Sequence, residues 1–303
     1  MNSSSRTLPA ADCEIAFDNL TRQLYATDAS IYQIEPAAVA FPRSALQAKS
    51  AIIAAADAGI SVTPRGAGSG LAGGAIGDGL VVDFSRHNRV VSDLDLEKRS
   101  VRVGAGVVLD QLNAFLKPHG FCFGPDVATS ARATLGGMIA NNSSGARVPI
   151  YGTTADHVRA LEIVLADGRV ETIGRDYDSL GEEGAALGQL IGEHARALDE
   201  WMPAGLQKRW PGYGIDRFLR IAPDLNNLMA GSEGTLAAIF SAELKIVPLP
   251  REKGLGLIFF ASVAEAMQAT VELLELRPAA IEHIDRVLFD QTKGQLEFKA
   301  VRD

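Results

Sequence analysis

The chain has 303 residues, 47% hydrophobic and 22% charged, with 37 acidic against 29 basic side chains and a net charge of −8. An acidic balance without a basic tract excludes a surface of clustered Lys and Arg for nucleic acid, and no apolar run reaches the roughly 18 residues of a membrane span. The two cysteines, Cys13 and Cys122, form no CxxC pair, which argues against a disulfide framework or zinc ribbon and for a reducing compartment.

In chain order, residues 1–30 read as a polar tail without a signal peptide, ending in a short helix near 16–25. A βαβ-like unit follows. Residues 39–41 form a strand broken by Pro42, Ser44 caps a helix over 45–58, and Gly59 takes the position after its end. The strand 60–63 then feeds Pro64 and a glycine-rich loop, 66–79. Strands are expected at 80–84 and 99–104 with a turn-rich stretch between them, then an amphipathic helix at 107–117 stopped by Pro118 and Gly120. After a small-residue segment, 125–152, comes a hairpin, 158–165 with 169–173, turning at Asp167 and Gly168. Residues 175–222 read as a polar, helical insertion, and 235–247 as a long strand or strand pair closed by Pro248 and Pro250. From 251 a fresh β-α-β-α pattern begins: a strand at 255–260, a helix at 263–276, a strand at 279–284, and a helix from Arg286. It is expected to open a second domain that is incomplete at Asp303.

Three segments stand out for chemistry. The first, TPRGAGSGLAGG at 63–74, strings small residues together so that backbone N–H groups can converge on phosphate oxygens. Gly68, Gly70 and Gly73 match GxGxxG literally, but no helix follows, so a Rossmann fingerprint is not expected. The second comprises PDVAT at 125–129 and ATLGGMIANNSSG at 133–145. It has almost no large side chains, which suits a segment lying along a ligand; a buried crossing between sheets is the alternative. The third, GSEGTL at 231–236, is weak alone.

In this order and spacing the three segments resemble the FAD-binding domain of the vanillyl-alcohol oxidase and p-cresol methylhydroxylase superfamily. The nearest branch is that of D-lactate dehydrogenase, the glycolate oxidase flavin subunit and D-2-hydroxyglutarate dehydrogenase. YATDAS at 25–30, VVD at 81–83, VGAG at 103–106, Tyr151-Gly152 and Pro211-Gly212-Tyr213 add to the likeness. The resemblance implies an α+β fold of two subdomains over 31–250, one small with the βαβ unit and one larger and mainly antiparallel with flanking helices. The start of an α+β cap domain would follow over 251–303. It implies that backbone at Pro64, Arg65, Gly66, Ala67, Gly68, Ser69 and Gly70 cradles the FAD pyrophosphate. Pro125, Asp126, Thr134, Gly136, Gly137, Asn141, Asn142, Gly145, Tyr151 and Gly152 would line the flavin side, and Glu233 and Gly234 the adenosine half. Some relatives link the flavin to a histidine where this chain has Ser69, so non-covalent FAD is implied.

The implied reaction is oxidation of a small D-2-hydroxy acid by hydride transfer to flavin N5. Electrons would pass on to a quinone, an electron-transfer protein or an iron–sulfur module. The setting would be cytoplasmic, with peripheral membrane association as a variant. An alcohol or aldonolactone oxidase, or a flavin-binding subunit without catalysis of its own, are the alternatives. None of the five histidines, His87, His119, His157, His194 and His283, pairs at metal-ligand spacing. No catalytic residue is assigned, and this chain is expected to turn over hydroxy acids slowly at best.

Overall fold

A computed structural model describes residues 8–174, 180–202, 204–205, 212–221, 223–295 and 299. Two sheets organise it. The smaller has the order β1-β2-β4-β3, formed by Ile15–Ala16, Ala38–Ala40, Leu80–Asp83 and Val62–Arg65. β4 runs parallel to both β2 and β3, with Ala38 and Val62 flanking Leu80. A parallel strand covered on both sides needs apolar residues at successive positions; Leu80, Val81 and Val82 are fully buried. Helix α2 (Ala45–Asp57) makes the crossover from β2 to β3. The Ser44 hydroxyl accepts the Gln47 N–H at 3.2 Å, and Gly59 takes a left-handed φ of +62° just past its end.

The alanine content of α2 has a packing reason. Ala48, Ala51, Ala54 and Ala55 are buried among Leu80 and Val82 of the small sheet and Val164 and Ala238 of the large one. Small side chains let one helix lie close to both. At the turn of the hairpin predicted for 158–173, an added β-carbon on Gly168 would lie 2.6 Å from Ile53 Cδ1.

The larger sheet is antiparallel throughout, in the order β5-β6-β10-β8-β9. Its strands are Val91–Asp95, Ser100–Gly104, Ala238–Lys245, Val158–Val164 and Val170–Ile173. The central strand β10 comes late in sequence and pairs with β6 on one side and β8 on the other. Helix α3 (Leu109–Leu116) buries Leu109, Leu112 and Leu116 on one stripe. It ends in a short 3-10 turn closed by Gly120 at φ +76°. The two-residue strand β7 (Phe121–Cys122) follows and pairs with β11 (Val247–Pro248).

Several expectations need correction. The first helix, α1, spans only Asn19–Leu24, because Asp18 caps it and residues 15–16 join the small sheet. The stretch between β4 and β6, expected to be turn-rich, contains β5. The small-residue segment contains two helices, α4 (Leu135–Asn141) and α5 (Val148–Tyr151). In the insertion, α6 (Glu182–Glu193), α7 (Ala195–Trp201) and α8 (Ile215–Arg220) are helical; residues 175–179, 203, 206–211 and 222 of it lie outside the described residues. A short helix α9 (Leu225–Met229) leads into the third motif. Beyond residue 250 the helices α10 (Val263–Leu273) and α11 (Arg286–Gln291) form, but 255–260 and 279–284 are not strands. A strand needs an edge to pair with, and among the described residues these two segments have none.

Candidate cofactor site

Between the loop after β3, the helix α4 and the third glycine segment lies a groove of about 730 Å³, within the range of roughly 300–1,000 Å³ usual for cofactor clefts. The loop leaves the carboxyl end of β3, the edge at which open α/β sheets bind ligands. Residues 66–79 contain no helix, so the loop does not open a Rossmann helix.

The loop is held by its own glycines and by the segment around residues 25–29. Gly68 has φ +65° and Gly73 φ +80°, conformations that only glycine adopts without strain. The Gly68 carbonyl accepts the Ala29 N–H at 2.9 Å. Beneath the loop the Arg65 guanidinium is half-buried, and burial draws its pKa below the usual value. Tyr25 hydrogen-bonds the buried carboxylate of Asp83. Burial, then that carboxylate, raise the Tyr25 pKa and keep the phenol neutral.

Helix α4 forms the facing wall. Its sequence, LGGMIAN, is a poor helix by propensity, and tertiary hydrogen bonds hold both ends. Leu135 N–H donates to Val107 O and Gly136 N–H to Ala105 O, both at 2.8 Å. At the far end Asn142 takes a left-handed φ of 51°. There Gly231 N–H and Glu233 N–H donate to the carbonyls of Ile139 and Ala140 at 3.0 and 2.9 Å. Asn141 Nδ2 donates to Glu233 Oε1 at 2.8 Å, which binds the third motif to the second. The three sequence segments therefore meet around one groove.

Most residues singled out by resemblance line it: Pro64 to Gly70, then Thr134, Gly136, Gly137, Asn141, Asn142, Glu233 and Gly234. Pro125, Asp126, Gly145, Tyr151 and Gly152 are not among the residues that line it. Pro125 is buried. Asp126 pairs with Arg147 at 3.1 Å, and a β-carbon on Gly145 would collide with the Asp126 carbonyl. The Tyr151 carbonyl faces His157 Nε2 at 2.8 Å, and Gly152, at φ +71°, packs on Asp156. His157 is buried against the Phe123 ring and is not among the lining residues.

Phe84, Thr153 and Ile239 also line the groove and were not singled out by the sequence. Thr153 carried a signal: the Thr-x-x-Asp spacing to Asp156 is a capping box, and Asp156 Oδ2 accepts the Thr153 N–H at 2.7 Å. Asp156 also pairs with Arg217, so α8 of the insertion braces this wall.

The lining fits a large, partly anionic cofactor better than a metal. The Thr134 side chain is buried, and its Oγ1 has no hydrogen-bond partner among the described residues; such a group calls for a ligand. A β-carbon on Gly70 would meet nothing within 4 Å, so that glycine leaves room at the groove rather than satisfying internal packing. Among the described residues no group of three or more His, Cys, Asp or Glu is arranged to hold a metal ion. Among them, too, no helix is long and apolar enough to cross a membrane.

Comparison with known proteins agrees with this geometry. Residues 36–174 match the family described as FAD binding domain. Over those residues the chain is similar to that family. It is 37% identical to D-2-hydroxyglutarate dehydrogenase of Pantoea ananatis (strain AJ13355), over 91% of this chain and 29% of that protein. It is 30% identical to the glycolate oxidase subunit GlcD of Bacillus subtilis (strain 168), over 88% of this chain and 50% of that one. The chain thus spans under a third of the length of the former and half of the latter. In fold it is similar to an alkyldihydroxyacetonephosphate synthase structure, with TM-score 0.63 and 19% identity over 88% of this chain and 44% of that one.

Proposed function

We propose that the groove binds FAD without a covalent link and that the chain is the flavin-binding part of a dehydrogenase for small D-2-hydroxy acids. The observation that carries the reading is the convergence of three glycine-rich segments on one groove, where the buried Thr134 hydroxyl has no partner among the described residues. In this reading the backbone of residues 66–70 meets the pyrophosphate, residues 134–142 run along the flavin and ribityl chain, and Glu233 with Gly234 flanks the adenosine half. Bound flavin supplies a two-electron acceptor for the oxidation of an alcohol carbon. The chain's own part is to hold and orient: glycines admit close approach, Thr134 Oγ1 offers a hydrogen bond, and Phe84, Ala105 and Ile239 keep water from the apolar side. The names of the relatives support 2-hydroxyglutarate, lactate or glycolate as substrate. In this reading the protein works in the cytoplasm or at the membrane periphery, and electrons pass to a quinone, an electron-transfer protein or an iron–sulfur module.

The test is anaerobic mixing of the FAD-loaded native protein with D-2-hydroxyglutarate, D-lactate and glycolate while the flavin band is followed. Slow bleaching by one of them is the expected result. A flavin reduced only by simple alcohols or aldonolactones, or by none of these, would overturn the substrate class.

A further inference from the structure

Arg65 and Glu233 are the charged side chains among the described residues lining the groove. An arginine in a glycine loop invites assignment as counter-ion to the phosphates. Its hydrogen bonds point elsewhere. Nη1 donates to the carbonyl of Ala75 at 2.9 Å and reaches that of Tyr25 at 3.4 Å, and Nη2 donates to the carbonyl of Thr27 at 2.9 Å. The Tyr25 ring lies against the guanidinium, 5.1 Å from Cζ to the centroid. The loop then passes back over the same group: a β-carbon on Gly68 would stand 2.7 Å from Nη2.

We propose that Arg65 is a positioning residue, an internal template that sets the loop of residues 66–79 against the strap of residues 25–30, and not a ligand of the phosphate. The inference rests on the reading that the groove holds FAD. The planar guanidinium has donors in fixed directions, so it can tie three carbonyls on two separate segments at once; a single ammonium cannot reproduce that span. With its donors turned inward, the phosphate is left to the loop's backbone N–H groups, whose convergence Arg65 fixes in advance. Presetting a loop in its bound shape raises affinity by removing the ordering cost from the binding step. A surface cation that merely neutralised the ligand would act through charge alone and would be screened by salt.

The two roles separate in the variants Arg65→Lys and Arg65→Ala of the full chain. FAD affinity would be titrated by quenching of flavin fluorescence across a salt series, with and without low millimolar guanidinium, and folding followed by thermal unfolding. A template role gives similar losses of roughly tenfold or more in both variants. It also gives an unchanged dependence on salt, and recovery of the Ala variant, but not of Lys, on adding guanidinium. Near-normal affinity in Arg65→Lys, or a weaker salt dependence in Arg65→Ala, would mean direct charge contact and overturn the proposal. If Arg65→Ala does not fold, Arg65→Lys alone decides. Normal binding by both variants overturns this inference alone, whereas an unsubstituted chain that binds no FAD overturns the reading of the groove with it.

Discussion

Gly66 and Thr134 meet across the floor of the groove so closely that a β-carbon on the glycine would collide with the threonine Oγ1. The contact joins the loop after β3 to the start of α4, the two walls that must accept the cofactor together. Gly66→Ala is expected to push those walls apart at a cost of about 1–3 kcal/mol, as for overpacking in a core, and to weaken FAD binding accordingly. Thr134→Ala removes the obstructing oxygen. The double variant should therefore lose less than the sum of the single losses. A fluorescence titration of all four forms checks this, and strict additivity would refute the coupling.

Gly68 and Gly137 separate backbone strain from blocked space. Gly68 has φ +65°, so Gly68→Val forces a branched residue into a region that costs about 1–3 kcal/mol and lowers the melting temperature as well as flavin content. Gly137 sits in α4 with only Thr134 Oγ1 near a would-be β-carbon, at 3.3 Å. Gly137→Val should keep the fold and lose the flavin. Normal flavin content in the purified Gly137→Val chain would remove that residue from the site.

The bound flavin should be FAD and should leave the polypeptide on acid precipitation, because Ser69 offers no imidazole for a covalent bond. Chromatography of the supernatant identifies it. Release of FMN, or yellow colour that stays with the precipitate, contradicts the expectation.

His157 gives the fold a pH dependence. Burial is the main cause that holds its pKa below the ordinary value of 6.5, outweighing the neighbouring Tyr151 and Lys245 carbonyls. The folded state then keeps the ring neutral while the unfolded chain takes up a proton. Its contribution to stability is fully present above pH 6.5 and is lost as pH falls below it. Chemical denaturation between pH 8 and pH 5, on the order of the window this linkage spans, should show that loss. His157→Gln should flatten the slope; an unchanged slope would assign it to other groups.

Sequence revealed the elements whose determinants are local. Ser44 and Gly59 bound α2 by capping chemistry, and the Asp167–Gly168 turn set the β8–β9 hairpin. It concealed those determined from outside. In α4 two adjacent glycines disfavour a helix, and the bonds from Leu135 and Gly136 to Val107 and Ala105 that start it come from another part of the chain. The strand β5 alternates weakly, VSDLD, and exists because β6 lies beside it. The site followed the same division. Glycine-rich stretches were visible as strings, whereas Phe84 and Ile239, which line the groove from two different sheets, look like any other core residue.

The place of β10 in the large sheet governs the order in which the molecule can assemble. The small sheet needs only residues 15–83, so it can close early during synthesis. In the large sheet β6 and β8 touch no common partner until residues 238–245 arrive to lie between them. Such pairing across long sequence separation is slow, because the chain must surrender loop entropy before contacts repay it. Ile239 belongs to this last stretch and Glu233 comes just before it; both line the groove. A nascent chain halted before that point would carry the loop that surrounds Arg65 but no closed cleft. Flavin capture is then a late event on the ribosome, and the exposed edges of β6 and β8 are where a stalled or slowly translated chain would aggregate.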